Sequence, residues 1–366
     1  MHGSAIIGAS PTLALGARVH ALRLAGIDAV SLSSPEFGAP PPPGPLGDSH
    51  AILTDAAGNR ALAALARAAL FGPWTLPRHV PLVTAGAKAA LFAILRCVVS
   101  PGERIGLVTP CWPSYRQLAR LVHAAIVPIP TRLEEGWRPD PQAIRTAART
   151  GGGRLRAVIV ANPCNPTGRV LDGEAIAALL AAAADAGAAL VLDESFSRFR
   201  FGAARADDTR PALADDSPLF LVNSFSKNFE LQGYRLGAAL VPRGQAEAVL
   251  AIHQAVCSAA SSIAQAAVLA LDRAGALRTP ELSAQRATIL SFIAETGWPC
   301  HATEGGFYAF PRLDSPSDIA ERFTRAGFVW LDGAAFGAEP AFIRLCFARP
   351  LPKLLALRDR LREALA

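Results

Sequence analysis

Residues 223–237 read NSFSKNFELQGYRLG and place a lysine between two apolar runs. Leu219, Phe220, Leu221 and Val222 precede the stretch as a buried strand, and LGAALV at 236–241 leads away as another. Of the chain's 36 lysines and arginines only Lys88, Lys227 and Lys353 are lysine, so the cation used at most positions is arginine. Arginine cannot form an imine with an aldehyde, whereas a partly desolvated lysine loses its proton and attacks one. Ser224 precedes Lys227 by three positions and Arg235 follows by eight, a hydroxyl and a guanidinium suited to a phosphate. An aldehyde-reactive amine beside a phosphate clamp describes a pyridoxal 5'-phosphate site. A strand-end lysine on a solvated loop is the plainer alternative.

A chain of 366 residues that is 51% hydrophobic can bury roughly three quarters of its unfolded surface, and at this length usually divides in two. The expected division is an N-terminal arm with part of a small domain at 1–47, a large domain at 48–245, and the rest of the small domain at 246–366. The formal charge of +6 comes from scattered arginines with no basic block, which argues against a nucleic-acid partner. The six cysteines show no CxxC pair and read as small apolar residues of a reducing compartment. The N-terminus lacks the basic start of a signal peptide, and no run reaches the roughly 20 apolar residues of a membrane span. These features lead us to expect a cytoplasmic protein.

Helical spacing is legible over 12–25 and 173–186, each closed by a glycine. Strands are expected at 29–32, 82–85, 105–109, 155–161, 188–192, 305–311 and 342–348. Their alternation with helices gives an α/β chain whose ligands gather at the carboxyl ends of parallel strands. At the turn after 82–85, Gly86 opens a helix from Ala87 to Val98, whose first amides form a ready anion site. Lys88 either adds charge there or, as its expected disposition, points to solvent. Residues 162–168, NPCNPTG, make a rigid non-helical loop, because each proline biases its predecessor away from the helical region. Arg344, flanked by apolar neighbours in FIRLCFA, is costly to bury without a carboxylate partner, which a substrate or a structural acid would supply equally well.

The lysine stretch resembles the SFSKxxxxxGxRxG Schiff-base motif of the class I/II aminotransferases, pyridoxal-phosphate enzymes of fold type I. Residues 12–37 are similar to that family's N-terminal arm, TDAAGNRALAAL at 54–65 to its YTxxxGxxELRxAIA, and FIRLCFA to its YIRLSFA. The resemblance runs from Ser10 to Ala348. It implies a mostly parallel seven-stranded sheet between helices in the large domain, a smaller α+β domain built from both termini, and a homodimer with shared active sites. It implies Lys227 as the catalytic lysine and Schiff-base carrier. Gly86, Ala87, Lys88, Ser224 and Arg235 then surround the phosphate, Trp112 stacks on the ring, Asp193 pairs with the ring nitrogen and Asn165 bonds the phenolic oxygen. Ser33, Asn165 and Arg344 face the substrate, Arg344 holding its α-carboxylate.

The chain departs from the pattern at three positions. Ser33 replaces a glycine, Leu53 replaces the tyrosine that crosses to the neighbouring subunit's phosphate, and Phe196 replaces the tyrosine of DxxY that bonds the phenolic oxygen. The implied activity is transfer of an amino group between an L-amino acid and a 2-oxo acid. Elimination, cyclisation, decarboxylation or oxidation on the same scaffold is the alternative. A cofactor-sensing module joined to a DNA-binding domain is disfavoured, since the chain opens directly in the arm. The substrate side chain is not legible.

Overall fold

The computed structural model describes residues 10–37, 53–206, 210–211, 213 and 217–366. The central sheet has seven strands in the order His79–Thr84, Gly237–Pro242, Leu219–Ser224, Ala189–Asp193, Leu155–Ala161, Arg104–Thr109 and Ala125–Pro130. Gly237–Pro242 runs antiparallel to both neighbours, and the other pairings are parallel. Strands buried on both faces read as continuous apolar runs, and Leu219–Ser224 and Ala189–Asp193 are buried at every position. The expected strands are therefore present within a few residues of their sequence bounds.

Helices cover both faces. Ala87–Val98 buries Ala90, Leu91, Ala93, Ile94 and Leu95, one continuous face at helical spacing. Gly173–Asp185 is capped by Asp172, whose carboxylate accepts from the Ala175 amide. Pro11–Leu24 ends one residue earlier than expected, before Gly26 in the left-handed region.

The small domain has its own core, in which Leu32 from the N-terminal arm meets Ile289, Phe292, Phe307, Phe323, Phe347 and Leu354. Val30–Ser31 pairs with Phe328–Val329, so both ends of the chain build it. The division expected after residue 245 does not coincide with the packing. Helices Arg243–Cys257 and Ser262–Arg273 contribute Val249, Ala264, Val268 and Leu271 to the cores against the sheet. The apolar faces of these helices look like those of any amphipathic helix, so sequence alone could not say which core they join. The strands expected at 305–311 and 342–348 shorten to Tyr308–Ala309 and Leu345–Cys346. Gly306 adopts a positive φ before the first, and a proline closes it at Pro311. Among the described residues no single helix is long and apolar enough to cross a membrane.

Candidate active site

Six strands end on one edge of the sheet, and the reversed strand begins there, since Thr84 and Ser224 both stand opposite Gly237. That reversal brings Arg235, just ahead of Gly237, to the edge where Lys227 leaves its own strand. Arg235 sits in a left-handed conformation, φ 53°. Its guanidinium donates to the Gln232 carbonyl at 2.9 Å and the Ser226 hydroxyl at 3.3 Å. The same guanidinium lies against Gly86, where a Cβ would come within 2.7 Å of Nη2. Gly237 is as tightly placed, since a Cβ there would stand 2.5 Å from the Ala87 nitrogen. The result is a cradle of backbone amides and one guanidinium with no side chain in the way.

Ser224 is a buried cap, accepting from the Ser226 amide at 3.0 Å and donating at 3.4 Å to the Leu236 carbonyl. The hydroxyl that meets Arg235 is that of Ser226, which the sequence had not singled out. Lys88 does not take the solvent disposition expected of it: its Nζ lies 5.0 Å from the centroid of Trp112 and it is half-buried. Burial, then the charge of Arg235, lowers its pKa. Trp112 meets Tyr115 edge-on at 5.5 Å.

Lys227 is half-buried, and loss of solvent around its amine pulls its pKa from 10.5 down to about 8. The neighbouring Cys346 opposes that shift, and the guanidiniums of Arg344 and Arg235 add to it. Asp193 ends its strand fully enclosed. Its Oδ1 accepts from the Ser195 amide at 2.9 Å and hydroxyl at 2.6 Å, and Oδ2 accepts from Tyr115 at 2.7 Å. Burial nevertheless raises its pKa against those bonds, so this carboxylate gains from a cationic partner. Tyr115 was not assigned a role from sequence; its place three residues after Trp112, on the same face of a helical turn, is the signal that would have found it.

The two asparagines of NPCNPTG divide the work. Asn162 closes the loop on itself, its side chain pairing both ways with the backbone of Leu171 at 2.9 and 3.2 Å. Asn165 accepts from Arg344 Nη1 at 2.9 Å, and its own Nδ2 has no acceptor among the described residues. Arg344 is wholly buried. Its Nη2 donates to the Ser33 carbonyl at 2.9 Å, its guanidinium lies 4.2 Å from the Tyr308 ring and 4.8 Å from the Phe336 ring, and Nε has no partner. No carboxylate pairs with Arg344 among the described residues, so the structural salt bridge left open by the sequence is not what holds it.

The hydroxyl of Ser33 turns away from the guanidinium and donates to the Arg344 carbonyl at 2.8 Å. Phe196 packs edge-on against Phe307 at 5.0 Å and Tyr308 at 5.9 Å, in the core of the small domain. Leu53 is 74% exposed. Contacts link most of the sequence-derived candidates: Gly86 and Lys88 lie by Arg235, the charges of Arg344 and Arg235 act on Lys227, and Arg344 holds Asn165 and Ser33. The arrangement joins a depressed lysine, an anion cradle, a buried acid and a buried guanidinium.

The sequence model described as aminotransferase class I and II matches residues 58–361. The probable aspartate/prephenate aminotransferase of Thermus aquaticus is 28% identical, over 97% of this chain and 96% of its own. Capreomycidine synthase of Streptomyces vinaceus is 30% identical, over 76% of this chain and 72% of its own. The solved structure of aspartate aminotransferase from Thermus thermophilus with maleate superposes with a TM-score of 0.81 at 26% identity, covering 98% of this chain and 97% of that one.

Proposed function

Because the chain belongs to the class I and II aminotransferases, we propose that it binds pyridoxal 5'-phosphate at the sheet edge, through Lys227, and moves the amino group of an acidic L-amino acid to a 2-oxo acid. The residues suit the cofactor. The Gly86–Gly237 cradle and Arg235 accommodate a phosphate. Asp193, buried and raised in pKa, suits a protonated ring nitrogen, and the unpaired Nδ2 of Asn165 suits the phenolic oxygen. When bound, the cofactor supplies an aldehyde that takes up the amino group and a cationic ring that draws electrons from the carbon bearing it.

The chain's own residues supply the rest. Lys227, with its pKa near 8, is neutral in a useful fraction at physiological pH. It serves first as the amine that holds the aldehyde and then as the group that moves a proton at the substrate α-carbon. Arg344 offers its free Nε and remaining Nη hydrogens to the α-carboxylate, and its two aromatic neighbours and the Asn165 and Ser33 contacts fix its plane. Trp112 gives the ring an apolar face. Lys88 forms no ion pair among the described residues and stands over Trp112 beside Arg235, which supports it as the cation for a second substrate carboxylate. The names of the Thermus relatives support the same acidic substrate class.

The exposed Leu53, Val256 and Ile263 support a homodimer. Gln265 ties the first and last of these regions together by bonding Thr54 and the Asn59 amide. Six free cysteines are consistent with a cytoplasmic site of action.

The observation that carries the reading is the meeting of Lys227, Arg235 and Asp193 at one sheet edge with Asn165 and Arg344, whose guanidinium acts on Lys227. The test is incubation of the holoenzyme with a panel of amino acids and 2-oxo acids. Formation of a new amino acid from the 2-oxo acid, fastest with a dicarboxylic donor, is expected. Products that keep the amine, or release carbon dioxide or ammonia without an amino-acceptor product, would overturn transamination in favour of a non-transaminating reaction.

A further inference from the structure

Strand His79–Thr84 leaves the sheet one residue before its turn. Thr84 is the last residue in register with Gly237–Pro242, so the amide of Ala85 has no ladder acceptor. The amide donates instead to the imidazole Nε2 of His253, 3.1 Å away on helix Arg243–Cys257. A peptide N–H only donates, so Nε2 accepts and the ring proton sits on Nδ1. His253 is 2% exposed, its Nδ1 is buried without a partner, and burial lowers its pKa from 6.5. The ring is therefore held in one neutral tautomer, and the bond to Ala85 is the polar contact that orients it.

That bond fixes the Thr84–Ala85 peptide, one step before the turn at Gly86. The Gly86 amide folds back on the Thr84 carbonyl at 2.7 Å, and its φ is +84°. The amides of Ala89 and Ala90 share the Gly86 carbonyl, which leaves the Ala87 and Lys88 amides as the open donors of the first turn. Gly237 and Arg235 pack against the turn, and His253 bonds the residue that leads into it. Without an acceptor at Ala85, the Thr84–Ala85 peptide, to whose carbonyl the Gly86 amide is tied, loses an anchor, and with it the turn that aims those donors.

We propose that His253 is a positioning residue: it anchors the Thr84–Ala85 peptide, whose carbonyl accepts from the Gly86 amide, so that the Ala87 and Lys88 amides converge on the cofactor phosphate, while touching neither cofactor nor substrate. The proposal rests on the reading of this turn as the phosphate cradle. The experiment compares equilibrium binding of pyridoxal 5'-phosphate and of pyridoxal, which lacks the phosphate, to apoprotein of wild type, His253→Leu and His253→Gln. The Leu variant is expected to bind pyridoxal phosphate about tenfold more weakly and pyridoxal unchanged. The Gln variant, whose amide oxygen can accept, restores most of the difference.

Equal weakening toward both ligands, or undiminished phosphate discrimination in the Leu variant, overturns the role of His253 alone. A wild type that binds both ligands equally overturns the cradle itself. Should the Leu variant not fold, amide exchange in the wild-type holoenzyme decides: protection at Ala85 matching that at Thr84 is expected, and unprotected exchange at Ala85 refutes the anchor.

Discussion

Replacing Arg344 with alanine removes a wholly buried guanidinium that holds Asn165 and Ser33 at 2.9 Å each. Two separable effects follow. A carboxylate substrate loses a charge-assisted fork, about 1.5–3 kcal/mol, so KM rises roughly 10- to 150-fold. The Asn165 and Ser33 oxygens also lose a donor. Each is worth ~1–3 kcal/mol if water cannot replace the guanidinium, and this appears as a lower melting temperature of the apoprotein. The two effects are told apart with a pair of ligands, an amino acid and the amine it would give on decarboxylation. In the wild type the amino acid binds the holoenzyme far better; in Arg344→Ala the two should bind alike, with pyridoxal phosphate affinity within a few-fold of wild type. Cofactor loss at unchanged KM, or equal weakening toward both ligands, would show that Arg344 is structural and that the carboxylate is held elsewhere.

Borohydride reduction of the holoenzyme followed by peptide mapping should find the cofactor on Lys227, and label on Lys88 or Lys353 would sink the assignment. Lys227 also sets a pH dependence of stability. Its pKa falls from 10.5 unfolded to about 8 folded, so the folded chain pays for a buried cation at neutral pH. That cost is relieved as pH rises through about 8 and is gone above 10.5. Apoprotein of Lys227→Met should therefore melt above wild type at pH 7, and the gap should narrow between pH 8 and 10.5; a constant gap contradicts the buried, depressed lysine. Gly86→Ala forces a Cβ within 2.7 Å of Arg235 at a positive φ that costs a non-glycine residue about 1–2 kcal/mol. Its cofactor should dissociate at least severalfold faster on dialysis, and unchanged retention would place the phosphate elsewhere. Phe196→Tyr restores a phenol near the site. The pH titration of the bound cofactor's absorbance should move to a lower pKa; no movement would mean that the phenolic oxygen already has a second donor.

Much of this molecule was legible in the chain because the signals are local. A buried parallel strand must be a continuous apolar run, so the sheet could be read strand by strand at 155–161, 188–192 and 219–222. A lysine is chemically distinct from the arginines used elsewhere, so Lys227 stood out without any contact known. NPCNPTG marked a loop through proline sterics alone. What the sequence withheld depends on which segments meet. The two asparagines of that loop look equivalent in the chain, yet Asn162 spends its side chain on Leu171 and Asn165 faces Arg344 across 179 positions. Asp193 and Tyr115 are 78 residues apart, and neither has a pattern that points to the other. Arg235 joins the site only because its strand runs against its neighbours, a pairing choice set by register and crossover rather than composition. The disposition of Lys88, half-buried over Trp112 instead of solvated, follows from how its helix is seated. His253 gave no signal at all, since a histidine on an amphipathic helix becomes an anchor only when the packed helix carries it to an amide that the sheet has left unpaired. Residue type and local periodicity fix what each segment can do, whereas long-range packing decides which polar groups lose water and must find one another.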